Sequence, residues 1–311
     1  MELQFLGTGA GMPSKARNTS AIMLKLLDEI GEMWLFDCGE ATQHQILHTS
    51  LKPRRVTKIF ITHLHGDHIF GLPGFLSSRS FQGGEEGVTL YGPKGLATWV
   101  EQTMRLTSTH ITYPMTFVEV APGVIYEDDH FIVEADELAH VVTSYGYRVT
   151  QKALPGELDI NKARALGVPN GPMLGQLKRG EDVHIDGRVI TSAAVVGEPK
   201  KGFVVTLLGD TRYCEAAVNL SRGADIVVHE ATFDQTMQSL AAQFGHSTVS
   251  DAARVAQEAG AQHLIISHIS SRFTEHDEAA LLAEGASVFP AIAMAHDFKQ
   301  FTLYNNELKC V

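Results

Sequence analysis

Cysteine is scarce in this 311-residue sequence. Cys38, Cys214 and Cys310 are too few and too scattered for a disulfide framework or a cysteine-built zinc site. That economy fits a reducing cytoplasm. Long apolar runs are also missing: stretches such as residues 203–208 have the length of a buried strand and fall far short of the roughly 18 to 20 residues that span a bilayer. A protein outside the membrane is expected. Positive charge is in short supply, because 25 Lys and Arg face 36 Asp and Glu for a net charge of −11. This excludes a surface coated with cations for indiscriminate nucleic-acid binding, so any such partner must be held by a local patch. The opening residues carry an acid at Glu2 and neither a basic segment nor a small-residue cleavage site, and no signal peptide is expected. Internal repeats and low-complexity tracts are absent.

What is present is β-rich at the start and mixed afterwards. Residues 3–6, 21–26 and 34–36 read as short strands joined by glycine-containing turns, followed by a helix over 42–48. Apolar strands at 58–61, 88–91, 204–208, 226–228 and 264–266 then alternate with helical stretches such as 96–105 and 249–259. The Val- and Ile-rich strands lack clean alternation, which predicts burial on both faces. A four-layer αββα arrangement satisfies that, as one catalytic domain over residues 1–311. Between 151 and 201 the pattern breaks into Pro- and Gly-rich pieces, read either as a solvated loop or as an insertion projecting from the core. Eight Lys and Arg against six acids give this segment +2 and leave −13 for the remainder.

The strongest local feature is Ile59-Phe60-Ile61-Thr62-His63-Leu64-His65-Gly66-Asp67-His68, an apolar strand that ends in three histidines and a carboxylate. Imidazole nitrogen and carboxylate oxygen suit zinc, and also manganese or iron. His63 and His65 can point to the same side of an extended segment, while Gly66 permits a sharp turn before Asp67 and His68. The spacing allows two metals side by side. Other apolar strands also end in ligand types: residues 204–209 deliver Asp210, 264–267 deliver His268, 226–228 run into His229-Glu230-Ala231-Thr232, and His140 follows a strand near 131–133. Singly, each reads equally as a turn, cap or hydrogen-bonding residue. Their joint pattern points to a metal centre at the carboxyl ends of strands. Asp37, closing the 34–36 strand, is either a turn residue or the carboxylate that orients a ligand histidine.

His63-x-His65-x-Asp67-His68 resembles the signature of metallo-β-lactamase-fold hydrolases, and nearly the whole chain is similar to the ribonuclease Z family. Supporting pieces are Gly7-Thr8-Gly9-Ala10-Gly11, the loop Pro13-Ser14-Lys15-Ala16-Arg17-Asn18, His229-Glu230-Ala231-Thr232 and His246-Ser247-Thr248. The resemblance implies an αββα metallo-β-lactamase fold with an inserted exosite arm at 151–201. It also implies a zinc-dependent endoribonuclease that removes the 3′ trailer from precursor tRNA, leaving a 3′ hydroxyl and a 5′ phosphate.

Two zinc ions per subunit are implied, with manganese or another divalent metal as substitutes. His63, His65 and His140 would hold one, Asp67, His68 and His268 the other, and Asp210 would bridge them. Asp67 would also accept the proton of the attacking water, and Glu230 with His246 would deliver one to the leaving oxygen. Lys15, Arg17 and Asn18 are expected to bind the acceptor end, and Gly171, Pro172, Lys178 and Arg179 to form the tRNA-gripping tip within residues 167–180. His229 is expected to support its own turn. Family members are commonly homodimers. The rival readings are a phosphodiesterase or esterase of the same fold acting on small substrates, a flavodiiron oxidoreductase, and a noncatalytic RNA-binding subunit. The chain has His65 where the second uses an acid, and it retains the ligands the third loses.

Overall fold

The apolar runs bounded by glycine and polar turns fold into two large sheets. The computed structural model of the chain describes residues 1–304 and 307–310. The first sheet is ordered Glu307–Cys310, Gln300–Tyr304, Glu2–Gly7, Ala21–Leu26, Glu32–Phe36, Val56–Phe60, Val88–Gly92, Met115–Glu119. From Glu32–Phe36 to Met115–Glu119 its strands run parallel. The second is ordered Ile292–Met294, His263–Ser267, Ile226–Glu230, Val204–Leu208, Ser144–Gln151, Phe131–Leu138, Gly123–Glu127, and its first four strands are parallel. Parallel neighbours bring their carboxyl ends out on one side, so residues just past several strands become neighbours in space. Every position of Val204–Leu208 and Ile226–Glu230 is buried, which accounts for their lack of alternation.

Each sheet is covered on its outer face by helices. Leu72, Phe75 and Leu76 of helix Leu72–Phe81 and Leu96, Val100 and Met104 of helix Leu96–Leu106 share a core with Leu35, Ile59 and Leu90 of the first sheet. Helices Glu215–Leu220, Val249–Ala259 and Glu278–Ala286 share another with Val227, Leu264 and Ile266 of the second. Val249–Ala259 begins at a capping box, in which Thr248 accepts from Asp251 N while the Asp251 carboxylate accepts from Thr248 N, and it ends at Gly260. Its buried face is largely alanine, so the helix lies close to the strands beneath. Between the sheets, Phe60 is stacked on Phe36 at 4.8 Å and on Tyr91 at 4.7 Å. Tyr147 of the second sheet meets Phe60 at 5.3 Å and donates its hydroxyl to Ile61 O at 2.6 Å. Helix, sheet, sheet and helix make the four expected layers. Among the described residues no helix is long and apolar enough to cross a membrane.

The chain divides into two compact units, one comprising Met1–Tyr126, Val133–Val149 and Val204–Val311, the other Glu127–Ile132 and Thr150–Phe203. The second unit is not the solvated loop that its broken pattern allowed. Helices Ile160–Ala165, Pro172–Lys178 and Ser192–Val195 and the hairpin Val183–Ile185/Arg188–Ile190 enclose their own core of Ala163, Val168, Leu177, Val183, Ile190 and Val195. The hairpin turns on Asp186-Gly187, both with positive φ (48° and 77°), a two-residue turn that matches strand twist. Leu154 and Lys200 bond each other through backbone N–H and C=O at 2.9 Å in both directions, closing the base of the segment between them.

Tyr147→Phe tests the join between the two sheets. Removal of the hydroxyl leaves the buried Ile61 carbonyl without this donor, and urea unfolding should show a loss of about 1–2 kcal/mol. An unchanged unfolding midpoint would mean the contact contributes nothing.

Candidate metal centre

Buried strands deliver polar side chains to one end of the first unit from both sheets. Val56–Phe60 runs into Thr62 and His63, and the next turn carries His65 and the short helix Gly66–Ile69 with Asp67 and His68. Gly66 has an ordinary φ, so the turn does not depend on a left-handed glycine, and the atoms a Cβ there would meet belong to the exposed ring of Phe70, which is free to move aside. From the second sheet, Phe131–Leu138 leads to His140, Val204–Leu208 to Asp210, and His263–Ser267 to His268. Asp37 and His268 both sit in the left-handed region at φ 55°, backbone strain of the kind that persists where surrounding structure enforces it.

The donors fall into three groups, each with its atoms within 4.8 Å of one another: His63, His65, His140 and Asp210; Asp67, His68 and His268; and Asp210, His246 and His268. Asp210 Oδ2 lies 3.6 Å from His63 Nε2, 3.5 Å from His68 Nε2 and 3.5 Å from His268 Nε2. His65 Nδ1 is 3.0 Å from His63 Nε2 and 3.4 Å from His140 Nε2. His268 Nε2 is 3.3 Å from both His68 Nε2 and Asp67 Oδ2. Ligand atoms held about 2.0–2.2 Å from a tetrahedral ion are separated by roughly 3.3–3.6 Å, so these spacings suit atoms gathered around a cation.

The charge balance points the same way. Burial pushes His63 well below the ordinary imidazole range, and it lowers His65 and His140 too, leaving all three neutral with lone pairs to give. Burial would also lower His68, but Asp210 and Asp37 outweigh it and raise it well above the usual range. A histidine thus supplies positive charge to a pocket of carboxylates, the task a divalent ion performs. Burial alone would raise Asp67 and Asp210, and neighbouring imidazoles reverse this and hold both carboxylates below their ordinary values. The donor set fits a divalent metal, with His63, His65, His140, Asp67, His68, His268 and Asp210 as the residues able to hold it.

Most of the histidines are oriented through their second ring nitrogen, as metal-binding imidazoles usually are. His68 Nδ1 lies 2.7 Å from Asp37 Oδ2, His140 Nδ1 2.7 Å from Gly245 O, His63 Nδ1 3.0 Å from Thr62 Oγ1 and His268 Nδ1 2.9 Å from Thr232 Oγ1. Of the two readings open for Asp37, the orienting carboxylate is the one its geometry supports. Sequence reasoning passed over Thr62 and Thr232, and the only signal was a polar β-branched residue beside the histidine motifs.

Glu230 is buried and saturated. Its Oε1 accepts from Thr211 N (3.2 Å) and Ser247 N (3.1 Å) and lies 2.9 Å from His246 Nδ1, while Oε2 accepts from Thr232 N (3.0 Å) and Thr232 Oγ1 (2.7 Å). It is therefore placed to hold His246, which burial would lower but the Glu230 bond and charge raise to about 9. In His246-Ser247-Thr248, His246 faces the donors, the Ser247 hydroxyl donates to Thr211 O at 2.6 Å, and Thr248 caps the next helix. His229 is buried with Nδ1 2.7 Å from Glu230 O, and it joins none of the three groups.

The loop at 13–18 departs from expectation. Arg17 is buried: its guanidinium donates to Glu278 Oε1 at 2.8 Å, Ala295 O at 2.6 Å and Thr8 Oγ1 at 2.8 Å. Asn18 donates its side-chain amide to Glu40 O at 2.7 Å and its backbone N–H to Asp297 at 2.7 Å. These two residues are struts for the loop, and just before it the Gly11 N–H donates to Asp67 Oδ2 at 2.8 Å. Of the three proposed acceptor-end contacts, Lys15 is the exposed one. In the second unit Gly171, Pro172, Lys178 and Arg179 are exposed, with Arg179 paired to Glu181 at 2.9 Å.

Residues 1–130 match the model of the anti-Pycsar protein Apyc1, and residues 173–269 match that of the beta-lactamase superfamily domain. A ribonuclease Z from Geobacillus kaustophilus is 54% identical over 97% of this chain and 99% of its own length, and one from Anoxybacillus flavithermus is 53% identical over 97% of each. The chain belongs to the ribonuclease Z family. The crystal structure of human tRNase Z, short form, has a TM-score of 0.72 and 30% identity over 98% of this chain and 100% of its own. The metallo-beta-lactamase fold protein YhfI from Bacillus subtilis, at TM-score 0.66 and 20% identity over 96% of this chain and 98% of its own, shares the fold. Ribonuclease Z membership makes the chain a metal-dependent endoribonuclease with the metallo-β-lactamase fold that its His63-to-His68 motif resembles.

Arg17→Ala discriminates strut from substrate contact. Removing the cation from its largely buried pair with Glu278 should lower unfolding free energy by about 2 kcal/mol or more, while Lys15→Ala leaves stability unchanged. Wild-type stability of Arg17→Ala with a raised KM would return Arg17 to the substrate.

Proposed function

We propose that this chain removes the 3′ trailer from precursor tRNA, cutting after the discriminator nucleotide to leave a 3′ hydroxyl on the tRNA and a 5′ phosphate on the trailer. The convergence of His63, His65, Asp67, His68, His140, Asp210 and His268 in a chain of the ribonuclease Z family carries the reading. His63, His65 and His140 would hold one zinc ion and Asp67, His68 and His268 a second, with Asp210 shared. Manganese or another divalent ion suits the same nitrogen and oxygen donors. Such ions supply the positive charge that a phosphodiester and an attacking water both need.

The chain's own residues manage the protons. Asp67, at the edge of the pocket and steadied by the Gly11 N–H, accepts the proton of the attacking water. His246, whose Nδ1 is held 2.9 Å from the Glu230 carboxylate, returns a proton to the leaving 3′ oxygen through its other nitrogen. The second unit serves as the arm that grips tRNA away from the cut, with Gly171 and Pro172 at its tip and the exposed Lys178 and Arg179 against phosphates. Lys15 attends the acceptor end. Residues 151–201 carry +2 on a chain whose remainder is −13, which limits phosphate contact to a few places and makes affinity fall with salt. The enzyme works as a homodimer in the cytoplasm.

Purified protein incubated with a 3′-extended precursor tRNA should cut just after the discriminator and stop cutting when a chelator is added. Hydrolysis of small phosphodiesters with no cut in the RNA would instead favour a small-substrate hydrolase. Since Leu154 and Lys200 are backbone-bonded, residues 155–199 can be replaced by a short turn. That variant should lose precursor processing by 10-fold or more yet keep hydrolysis of bis(p-nitrophenyl) phosphate, on the order of several phosphate contacts' worth of affinity. Equal loss on both substrates would make the segment a support of the core and remove its role as an arm.

A further inference from the structure

We infer that Thr62 and Thr232 are positioning residues, each extending the hold of one buried carboxylate to a second histidine of the metal centre. The inference rests on the reading of that site given above. Thr62 Oγ1 donates to Asp37, 2.9 Å from Oδ2 and 3.1 Å from Oδ1, and lies 3.0 Å from His63 Nδ1. Thr232 Oγ1 donates to Glu230 Oε2 at 2.7 Å and lies 2.9 Å from His268 Nδ1. Both threonines are buried.

A hydroxyl has one proton and two lone pairs, whereas an ionised carboxylate can only accept. The single proton of each threonine goes to its carboxylate, which for Thr232 is the nearer and charged acceptor (Glu230 Oε2 at 2.7 Å against His268 O at 3.2 Å), and the oxygen turns a lone pair to the imidazole. That imidazole must carry its own proton on Nδ1. Its Nε2 is left as a lone pair, and in both His63 and His268 this is the atom that faces Asp210 Oδ2, at 3.6 Å and 3.5 Å.

The same carboxylates also hold a histidine directly: Asp37 Oδ2 lies 2.7 Å from His68 Nδ1, and Glu230 Oε1 lies 2.9 Å from His246 Nδ1. One aspartate thus fixes His63 and His68, which belong to different donor groups, and one glutamate fixes His268 and His246. Without the hydroxyls, His63 and His268 would be free to place the proton on Nε2, where it blocks a metal.

The test uses full-length Thr62→Val, Thr62→Ser, Thr232→Val and Thr232→Ser proteins, zinc affinity by competition with a chromophoric chelator, and nitrogen NMR of the imidazoles in metal-free protein near about pH 8, where free histidine is neutral. Each valine variant should bind one zinc equivalent about 10- to 100-fold more weakly, and each serine variant should stay within about threefold of the parent. In the metal-free parent, His63 and His268 should carry the proton on Nδ1, a result that needs no variant to fold. Valine variants that bind zinc like the parent, serine variants as weak as valine, or Nε2 protonation in the parent would each overturn the relay. A parent protein that binds no divalent metal would overturn the site reading itself.

Discussion

Buried negative charge is the constraint around which this molecule is built. Asp37, Asp210 and Glu230 are all less than 9% exposed, and Asp67 stands beside them. Carboxylates in such surroundings are costly unless paired and hydrogen-bonded. The fold meets the cost in two ways. Asp37 and Glu230 are satisfied by backbone N–H groups, threonine hydroxyls and imidazoles at hydrogen-bond distance. Asp210 is different: the imidazole nitrogens of His63, His68, His268 and His246 stand around it at 3.5 to 3.8 Å. The first two carboxylates are structural supports complete in themselves, and the third is complete only with positive charge among its neighbours.

That distinction sorts the polar residues by role. A carboxylate whose lone pairs are all engaged, such as Glu230, is poorly placed to exchange protons with a substrate and well placed to orient a group that does. His246 is the group it orients, largely buried at the edge of the cluster and raised to about 9 by its bond to Glu230 and the charge there. Asp67 Oδ2 accepts from the Gly11 N–H and lies 3.3 Å from His268 Nε2, and the 13–18 loop that follows Gly11 is itself pinned by Arg17 and Asn18. Arg17 and Asn18, from a loop that resembles a substrate-binding motif, thus spend their polar groups on fixing the chain itself.

Six of the seven clustered residues were visible in the sequence because they follow buried runs of Val, Ile, Leu and Phe, whereas His140 follows an alternating strand and was singled out, with the set as a whole, by the family resemblance. The four-layer arrangement was legible for the same reason, since strands without alternation need cover on both faces. What could not be read depended on distant partners. Arg17 in a short basic loop looks solvated, and its burial is decided by Glu278 and Ala295, more than 260 positions away. The orienting threonines bond Asp37 across 25 positions and His268 across 36. The core of the second unit was hidden by helices of four to seven residues, too short to show a period.

The donors also come from both sheets, with His63, His65, Asp67 and His68 following the first and His140, Asp210 and His268 the second. An ion bound among them would clasp the sheets together, which raises the question of whether the fold needs it. Small zinc domains do, because their ligands have no other reason to meet. Here the sheets are already fastened by the Phe36, Phe60 and Tyr147 rings and by the Tyr147 hydroxyl on Ile61 O, one residue from the orienting Thr62 and two from His63. Tyr145 N–H also donates to Thr62 O at 2.9 Å, fixing the first donor strand against the second sheet. The histidines are therefore brought to register by apolar packing and backbone bonds, and the metal-binding geometry is a consequence of the core and not its cause.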